Sequence, residues 1–344
     1  MNRYHVPDLD DVRLKNEGGE FPAMVIVPVS YVCNSRCPNC AYTNSDIRDS
    51  YNDTPFMPDE LFKRISDECG KYNALIRVSG GGEPLISKHI IDQIEYAKGV
   101  GARIGLITNG SLLTPERVDR LLKVNTDAIE ISADAGDKDT YAKVRPGLNF
   151  DKLVRNVKYL VNKRNELKST SRIIVSIINQ KELQGKLESA VAYWNKIVDH
   201  VQIRKYLTWS ICDPSQSADP TPYIPELPVR VPCPFPFERV MIDVRGKISF
   251  CAYDIRFETD FGNVHKISIK QAWQGEKFKK WRQLLLEGKY EEIPVCNKCP
   301  DWKYRSWHYN YWNILNKADK KKEAISDSPG EFEDEEFDNL PLDL

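Results

Sequence analysis

Short apolar runs alternate along this chain with longer segments in which apolar residues recur at helical spacing. The short runs are rich in β-branched residues, which predicts strands, and the longer segments predict amphipathic helices. The predicted strands are 23–29, 74–79, 102–108, 128–132, 172–178 and 201–206. The predicted helices between them are 58–71, 88–98, 115–123, 151–168 and 184–198. Alternation of strands and helices is typical of a parallel sheet, and six such repeats predict an open, partial barrel.

A proline-rich segment ends this alternation. Residues 208–236 contain eight prolines, which is too many for a helix or a central strand, so we predict a linker at 208–232. Beyond it, residues 239–244 and 247–252 predict a β-hairpin, and residues 269–287 predict a helix. The predicted fold class is therefore α/β: a partial (β/α)6 TIM-like barrel followed by a small C-terminal domain with a β-hairpin and a helix.

The same patterns divide the chain into five parts. A polar extension (1–22) precedes the barrel (23–207), and the linker separates the barrel from the small domain (233–316). The last part, 317–344, is predicted to be a disordered tail. From Asp327 onward this tail holds eight acidic residues and no basic one, a composition that favours a solvated chain.

Charge and composition exclude some partners and leave metal chemistry open. Lys and Arg number 49 against 50 for Asp and Glu, so the whole chain has no attraction to nucleic acid or to an anionic membrane. The first residues lack the apolar core of a signal peptide, and no apolar stretch reaches about 18 residues. We therefore expect a cytoplasmic protein without a membrane or nucleic-acid partner. Nine cysteines in a reducing compartment are typical of metal binding or redox chemistry.

Three of the cysteines, Cys33, Cys37 and Cys40, lie within eight residues directly behind the first predicted strand. Thiolates at this spacing can bind three irons of one [4Fe–4S] cluster, which normally takes four cysteine ligands. The neighbouring sequence offers no fourth cysteine, which would leave one iron open to a small-molecule ligand. A zinc site or a packing loop is the alternative, although three cysteines without a nearby histidine suit tetrahedral zinc poorly.

Together with a second motif, this loop resembles a known family. The Cys-x3-Cys-x2-Cys spacing is similar to the signature of radical S-adenosylmethionine enzymes, and Gly80-Gly81-Gly82-Glu83-Pro84 resembles their Gly-Gly-Glu-Pro motif. The resemblance covers residues 23–206. It implies that S-adenosylmethionine chelates the open iron and yields a 5′-deoxyadenosyl radical, which abstracts a hydrogen atom from a substrate carbon. Carried over by position, the residues that hold the methionine end are Gly81, Gly82, Glu83 and Pro84.

Other positions that the resemblance implies for the cofactor lie after the third and fourth strands. Asn109 and Ser132 fall at the carboxyl edge of the sheet, where ligands of α/β proteins bind. Ser132 and Arg145 resemble positions that contact the ribose or the carboxylate, and a surface arginine is the alternative for Arg145. Asn39 departs from the family, which often has an aromatic residue before the third cysteine.

Four more cysteines, beyond the linker, form a second set: Cys233, Cys251, Cys296 and Cys299. By themselves they are equally compatible with structural zinc. Behind a barrel of this family, they resemble the auxiliary-cluster extension called SPASM in its shortened "twitch" form. The full form carries seven cysteines for two clusters, whereas four could fully ligate a single auxiliary [4Fe–4S] cluster. The role of such a cluster would be to move an electron, and stapling a small domain is the alternative.

An electron acceptor beside a substrate radical suits a two-electron oxidation. The resemblance therefore implies a radical S-adenosylmethionine oxidoreductase that dehydrogenates an alcohol on a sugar, an aminocyclitol or another small molecule. It also implies an external one-electron donor such as flavodoxin or ferredoxin. The same extension serves peptide maturases, but the ~20 residues before the first strand are too few for the leader-binding domain that such maturases often carry.

Cys212, just past the sixth strand, supplies a second enzyme hypothesis. A thiol at the carboxyl edge of the barrel could return a hydrogen atom to a substrate radical, and the reaction would then be an epimerisation of a small molecule or a peptide. A buried cysteine without chemistry is the alternative for Cys212. A third hypothesis, from another class, is a zinc-stabilised binding protein without catalysis.

Overall fold

The computed structural model of the protein describes residues 19–43, 45–209, 212, 215, 217–218, 227–304 and 311–326. The first 18 residues of the predicted N-terminal extension lie outside this range, and so do most of the predicted linker and the acidic residues from Asp327 onward. All of the predicted strands and all nine cysteines fall within it.

One mostly parallel sheet of eight strands forms the centre of the molecule, in the order β6-β5-β4-β3-β2-β1-β7-β8. Its strands are β1 (Met24–Val27), β2 (Leu75–Val78), β3 (Arg103–Thr108), β4 (Ala128–Ser132), β5 (Arg172–Asn179), β6 (His200–Lys205), β7 (Arg239–Ile242) and β8 (Ile248–Ser249). The first six strands pair in parallel with their sequence neighbours. The six predicted strands and the α/β partial barrel are thereby confirmed.

Helices follow most of the strands. They are α1 (Ser45–Asp49), α2 (Asp59–Lys71), α3 (Ile90–Gly99), α4 (Pro115–Lys123), α5 (Lys138–Val144), α6 (Phe150–Glu166), α7 (Leu187–Asn195), α8 (Phe235–Glu238), α9 (Ile269–Trp273), α10 (Glu276–Leu286), α11 (Pro294–Asn297) and α12 (Tyr311–Ser326). The single helix predicted at 269–287 is wrong, because extended backbone at Gly275 separates α9 from α10. Among the described residues, no helix combines the length and the apolar character that crossing a membrane requires.

The predicted hairpin is present but belongs to the barrel sheet. β7 and β8 pair antiparallel, with Ile242 opposite Ile248. β7 also pairs in parallel with β1, where Met24 lies opposite Arg239. The hairpin is therefore continuous with the barrel, whereas the sequence predicted it only as part of a separate small domain.

The two faces of the sheet are covered differently. On the outer face, residues such as Val25 and Ile76 belong to the large core shared with the surrounding helices. On the concave inner face, Met24, Leu75 and Ile174 pack with Leu315 of α12. α12 thus fills part of the barrel interior.

This position of α12 corrects the predicted tail. The boundary at 316/317 falls inside the helix, so residues 317–326 are helical and are not part of a disordered tail. Leu315 and Ala318 are fully buried, which gives the helix its stability despite the charged residues on its other side.

Candidate active site

The three-cysteine loop leaves the carboxyl end of β1 and folds back on itself. The Cys40 N–H donates to the Cys37 carbonyl at 3.1 Å, and the Thr43 hydroxyl donates to the same carbonyl at 3.0 Å. The Ser35 hydroxyl donates to the Pro146 carbonyl at 2.9 Å, which joins the loop to the turn after α5. Cys37 is buried, and Cys33 and Cys40 are half-buried.

The three thiols influence one another's ionisation. Burial raises the pKa of Cys33, and the charges of Glu83, Cys37 and Cys40 raise it further. Burial also raises the pKa of Cys40, with Cys37 adding to the effect. Arg145 Nη1 donates to Cys37 Sγ at 3.4 Å. Thiols that are close together, withdrawn from water and beside a cation suit a cluster whose irons replace the thiol protons.

The glycines after β2 are needed because the backbone segment that leads into the cysteine loop lies directly against them. The Gly82 N–H donates to the Ser30 carbonyl at 2.5 Å and the Glu83 N–H donates to the Val32 carbonyl at 2.9 Å. A Cβ atom on Gly81 would collide with the Ser30 carbonyl oxygen, and one on Gly82 with that of Val32. Residues 81–84 therefore brace the cysteine loop directly.

The side chain of Glu83 points inward. Its carboxylate accepts from the Leu85 N–H at 3.0 Å, the Thr108 hydroxyl at 2.6 Å and the Asn109 N–H at 2.7 Å. Burial raises its pKa, although these donors work in the opposite direction. Glu83 thus ties the glycine motif to the end of β3.

An amide network extends this connection to the cysteine loop. Asn109 Nδ2 donates to Asn34 Oδ1 at 2.8 Å, and Asn34 Nδ2 donates to Ser111 Oγ at 2.9 Å. The Asn109 Oδ1 atom accepts from the Ser111 hydroxyl at 2.7 Å. The sequence pointed to Asn109 as a cofactor residue but not to Asn34 or Ser111, whose signal is only that they are polar residues in loops at the same sheet edge.

Arg145 is held over the cysteine loop by a buried carboxylate. Its Nη2 donates to Asp134 Oδ2 at 2.5 Å, and the Asp134 Oδ1 accepts from the Ile178 N–H at 2.9 Å. Burial would lower the pKa of Arg145, but Asp134 and Cys37 outweigh it and raise the value. Only 13% of the Arg145 side chain is exposed, so this is not a surface arginine.

A cavity of about 300 Å³ opens beside this arginine, inside the barrel. We call it the barrel cavity. Its polar lining consists of Asn39, Arg77, Glu130, Ser132, Asp134, Arg145, Ser176, Arg204, Lys205 and Arg239. Four buried atoms of these residues, Asn39 Nδ2 and the Nε atoms of Arg77, Arg145 and Arg239, have no hydrogen-bond partner among the described residues. Buried donors without partners are rare in folded proteins, so the cavity suits a polar ligand beside the cysteine loop.

Three of the charged cavity residues that the sequence analysis did not propose form one cluster. Glu130 of β4 lies between Arg204 of β6, whose Nη2 is 2.6 Å from Glu130 Oε1, and Arg77 of β2, whose Nη2 is 3.5 Å from Oε2. Burial alone would raise the pKa of Glu130, but the two guanidinium groups outweigh it and lower the value. A charged residue in the middle of an apolar strand was the available signal.

A second cavity brings the other four cysteines together. We call it the cysteine cavity, and it is lined by Cys233, Cys251, Cys296 and Cys299 with aromatic neighbours that include Tyr290 and Trp302. Burial raises the pKa of Cys296, and Cys251, Cys233 and Cys299 raise it further in that order. Arg230 Nη2 donates to the Cys296 carbonyl at 2.7 Å. The donor set fits one fully ligated cluster.

The two cavities share a wall. Cys251 and Tyr253 line the cysteine cavity, and Ala252 between them lines the barrel cavity. Trp209 lines the barrel cavity and stacks on Tyr253 with ring centroids 5.8 Å apart. The cysteine set and the barrel interior are therefore separated by little more than one segment of chain.

Cys212 lies near the cysteine loop, where Cys40 influences its ionisation. Its N–H donates to the Thr208 carbonyl at 2.7 Å, and its side chain is half-buried. Burial raises the pKa of Cys212 to about 11, with Cys40 and Asp301 adding to the effect. The described residues that line the barrel cavity do not include it.

Comparison with known families agrees with this geometry. Residues 27–187 match the radical SAM superfamily, and residues 233–300 match the iron-sulfur cluster-binding domain SPASM. The protein is therefore a radical S-adenosylmethionine enzyme with a C-terminal SPASM domain. Its cofactors are a [4Fe–4S] cluster that binds S-adenosylmethionine, an auxiliary iron–sulfur cluster and S-adenosylmethionine itself.

Individual relatives differ in what they do. The chain is 26% identical over 314 residues, covering 78% of this chain and 84% of the relative, to a tungsten-containing aldehyde ferredoxin oxidoreductase cofactor-modifying protein of Pyrococcus furiosus. It is 22% identical, over 80% of this chain and 92% of the relative, to the S-adenosyl-L-methionine-dependent 2-deoxy-scyllo-inosamine dehydrogenase of Niallia circulans. Among solved structures, SuiB of Streptococcus suis bound to S-adenosylmethionine superposes with a TM-score of 0.63 at 15% identity, covering 88% of this chain and 76% of SuiB. This last likeness concerns the fold alone.

Proposed function

We propose that the protein dehydrogenates an alcohol carbon of a sugar, an aminocyclitol or a similar small molecule, with the auxiliary cluster as electron acceptor. When bound, S-adenosylmethionine and its reduced cluster supply the radical that removes a hydrogen atom from the substrate, and the auxiliary cluster accepts an electron. The electron that starts the reaction comes from an external donor such as flavodoxin or ferredoxin.

The residues that would hold the two clusters and S-adenosylmethionine belong to the two cysteine sites and their surroundings. Cys33, Cys37 and Cys40 would bind the first cluster, and the quartet of the cysteine cavity would bind the auxiliary one. The backbone of residues 81–84 would receive the methionine end of the cofactor, with Asn109, Ser132 and Arg145 around it. Glu83 would act indirectly, by positioning Asn109 and the cysteine loop. Both oxygens of its own carboxylate already accept hydrogen bonds.

The shared wall between the cavities supports the proposal. Ala252 lines the barrel cavity and its chain neighbour Cys251 lines the cysteine cavity. A substrate radical formed in the barrel cavity would therefore lie close to the auxiliary cluster, and loss of an electron and a proton would convert an alcohol to a carbonyl. The dehydrogenase of Niallia circulans aligns with this chain over 92% of its own length. The reaction in its name is consistent with the proposed one.

The test is an anaerobic assay of the reconstituted enzyme with S-adenosylmethionine, dithionite and a panel of sugars, cyclitols and aminocyclitols. About eight irons per chain are expected if both clusters are [4Fe–4S]. Formation of 5′-deoxyadenosine together with a product lighter by two hydrogens supports the proposal. A product of unchanged mass, or a cross-linked peptide from a peptide panel, would contradict it.

A second candidate function, epimerisation of a small molecule or peptide, rests on Cys212. The burial that raises its pKa to about 11 keeps the thiol protonated at neutral pH, as a hydrogen-atom donor requires. In the enzyme with Cys212→Ala, an epimerase should still cleave S-adenosylmethionine but lose its epimerised product. Unchanged product formation would remove Cys212 from the mechanism.

A further inference from the structure

We infer that Arg230 raises the reduction potential of the auxiliary cluster and so makes it a better electron acceptor. A cluster that gains an electron becomes more negative by one charge, and a cation held beside it favours that reduced form. This inference deepens the proposed function, in which the auxiliary cluster accepts an electron from the substrate radical. It gives a redox role to a residue outside both cysteine sets.

The lining of the cysteine cavity contains one cation. Among the described residues that line it, Arg230 is the only Lys or Arg, and no Asp or Glu is among them. The other members are the four cysteines, aromatic residues and apolar residues such as Val231, Leu285 and Val295. Apolar surroundings screen a charge weakly, so a cation in this wall acts more strongly on a bound cluster than a cation in water would.

Three contacts hold the guanidinium of Arg230 in this wall. Its Nη2 donates to the Cys296 carbonyl at 2.7 Å. Its guanidinium carbon lies 4.3 Å from the centroid of the Tyr290 ring and 5.8 Å from the centroid of the Trp302 ring. The hydrogen bond joins the cation directly to the backbone of one cluster ligand, and the two rings keep it from swinging away.

None of these contacts removes the positive charge of Arg230. They are with a carbonyl and two neutral rings, so among the described residues no carboxylate neutralises the guanidinium. Aromatic rings hold a cation in place without neutralising it, and a guanidinium stays protonated in proteins. Burial and the other three thiols raise the pKa of Cys296, whereas the charge of Arg230 lowers it. The cation therefore stabilises negative charge at the cysteine set.

The alternative role for Arg230 is to brace the turn that carries Cys296. A brace would affect how well iron is bound, whereas a charge effect changes the potential of the bound cluster. Two substitutions separate these roles. Arg230→Lys keeps the charge but loses the planar group that stacks on the rings, and Arg230→Gln keeps a hydrogen-bond donor but loses the charge.

The experiment is a potentiometric titration of the anaerobically reconstituted enzyme without S-adenosylmethionine, followed by the electron paramagnetic resonance signals of the reduced clusters. Enzyme with Cys37→Ala, which lacks a ligand of the first cluster, identifies the auxiliary signal. In Arg230→Gln the equilibrium constant for reduction of the auxiliary cluster should fall about tenfold. For one electron this is a shift of about 59 mV to more negative potential.

Two further variants complete the test. Arg230→Lys should restore most of the wild-type potential, because it restores the charge. Lys280→Gln is the control, since it removes a unit charge from an exposed position of the same domain, where water and salt screen it. It should leave the potential unchanged. Arg230→Met is the second neutral variant, which is measured if Arg230→Gln does not fold.

Three outcomes would overturn the inference. One is the same potential in Arg230→Gln and in the Lys280→Gln control. Another is an equal shift in Arg230→Lys and Arg230→Gln, which would show that the charge is not what matters. The third is loss of about four irons from both neutral variants, which would assign Arg230 to bracing the turn.

Failure of this inference is distinguishable from failure of the proposed function. The potential is measured without a substrate and before any turnover, so it does not depend on the reaction that follows. If wild type dehydrogenates an alcohol and the potential does not respond to Arg230, only this inference is wrong. If no member of the substrate panel is dehydrogenated and Arg230→Gln shifts the potential, the proposed reaction is wrong and the role of Arg230 stands.

Discussion

The concave face of the sheet has two ends of opposite character. At the carboxyl end of the strands, Glu83 and Asn109 are hydrogen-bonded to each other, and Arg145 lines the polar barrel cavity beside the cysteine loop. At the amino end, Leu315 and Ala318 of α12 pack on apolar residues and leave them fully buried. The same six strands therefore hold a binding site at one end and a closed core at the other.

This difference shows that α12 limits the depth of the cavity inside the open barrel. Tyr311 of α12 lines the barrel cavity from below, and it packs under the guanidinium of Arg77. The helix thus forms the floor of the site as well as part of the core. Substitutions of the cluster ligands at the carboxyl end should change chemistry with little effect on folding, and substitutions of the apolar residues at the amino end should do the reverse.

The largest effect is expected from Cys37→Ala at the carboxyl end. The variant should lose about four of the roughly eight irons and all cleavage of S-adenosylmethionine, because the first cluster loses a ligand. Iron analysis and 5′-deoxyadenosine assays measure both. Cys69→Ala is the control, since Cys69 is fully buried in α2 on the outer side of the sheet. Retention of all the iron by Cys37→Ala would refute the assignment of the loop.

At the amino end, Leu315→Ala should lower the free energy of unfolding by about 2–5 kcal/mol, because it leaves a void between α12 and the sheet. Denaturant titration gives this value. Lys320→Ala, at an exposed position of the same helix, should change it by no more than about 0.5 kcal/mol. Similar stabilities of the two variants would mean that α12 does not close the barrel.

The sequence predicted the carboxyl end better than the amino end, because the former depends on local patterns. Cysteine spacing and the glycine motif are contiguous in sequence, and β-branched runs predicted the strands that carry them. Pairing of β7 with β1 depends on contacts between distant segments, which no local pattern encodes. α12 had a signal in the helical spacing of Tyr311, Ile314, Leu315 and Ala318, but the acidic composition after it obscured the pattern.

Charged residues within the strands were the other signal that was overlooked. Arg77 and Glu130 each interrupt an apolar run, and Arg204 lies near the end of a mixed polar and apolar strand. Only their meeting inside the barrel makes them a site. Whether such residues face a cavity or solvent depends on the side of the sheet to which they point. That is fixed by which face the helices cover.

A smaller effect is expected from Glu83→Gln, which tests how the loops at the carboxyl end are braced. A glutamine cannot accept from all three donors of Glu83, because its NH2 group must face one of them. The free energy of unfolding should fall by about 1–3 kcal/mol, and affinity for S-adenosylmethionine should fall with it. Glu60→Gln is the control, since 88% of that side chain is exposed. Unchanged affinity in Glu83→Gln would show that the brace does not support cofactor binding.

The smallest effect concerns pH at the amino end. Burial lowers the pKa of His200 from 6.5 to about 4. The charges of Lys317 and Lys321 of α12 also lower this pKa, whereas the hydrogen bond with Gln202 raises it. Between these two values the unfolded chain binds a proton that the folded chain does not, so folding stability falls as pH falls through this window. In His200→Gln, the melting temperature should therefore decrease less between pH 7.5 and 5.5 than in wild type. His89→Gln, at a histidine whose side chain is 64% exposed, should keep the wild-type slope. A wild-type slope in His200→Gln would mean that burial at the amino end does not keep this imidazole neutral in the folded protein.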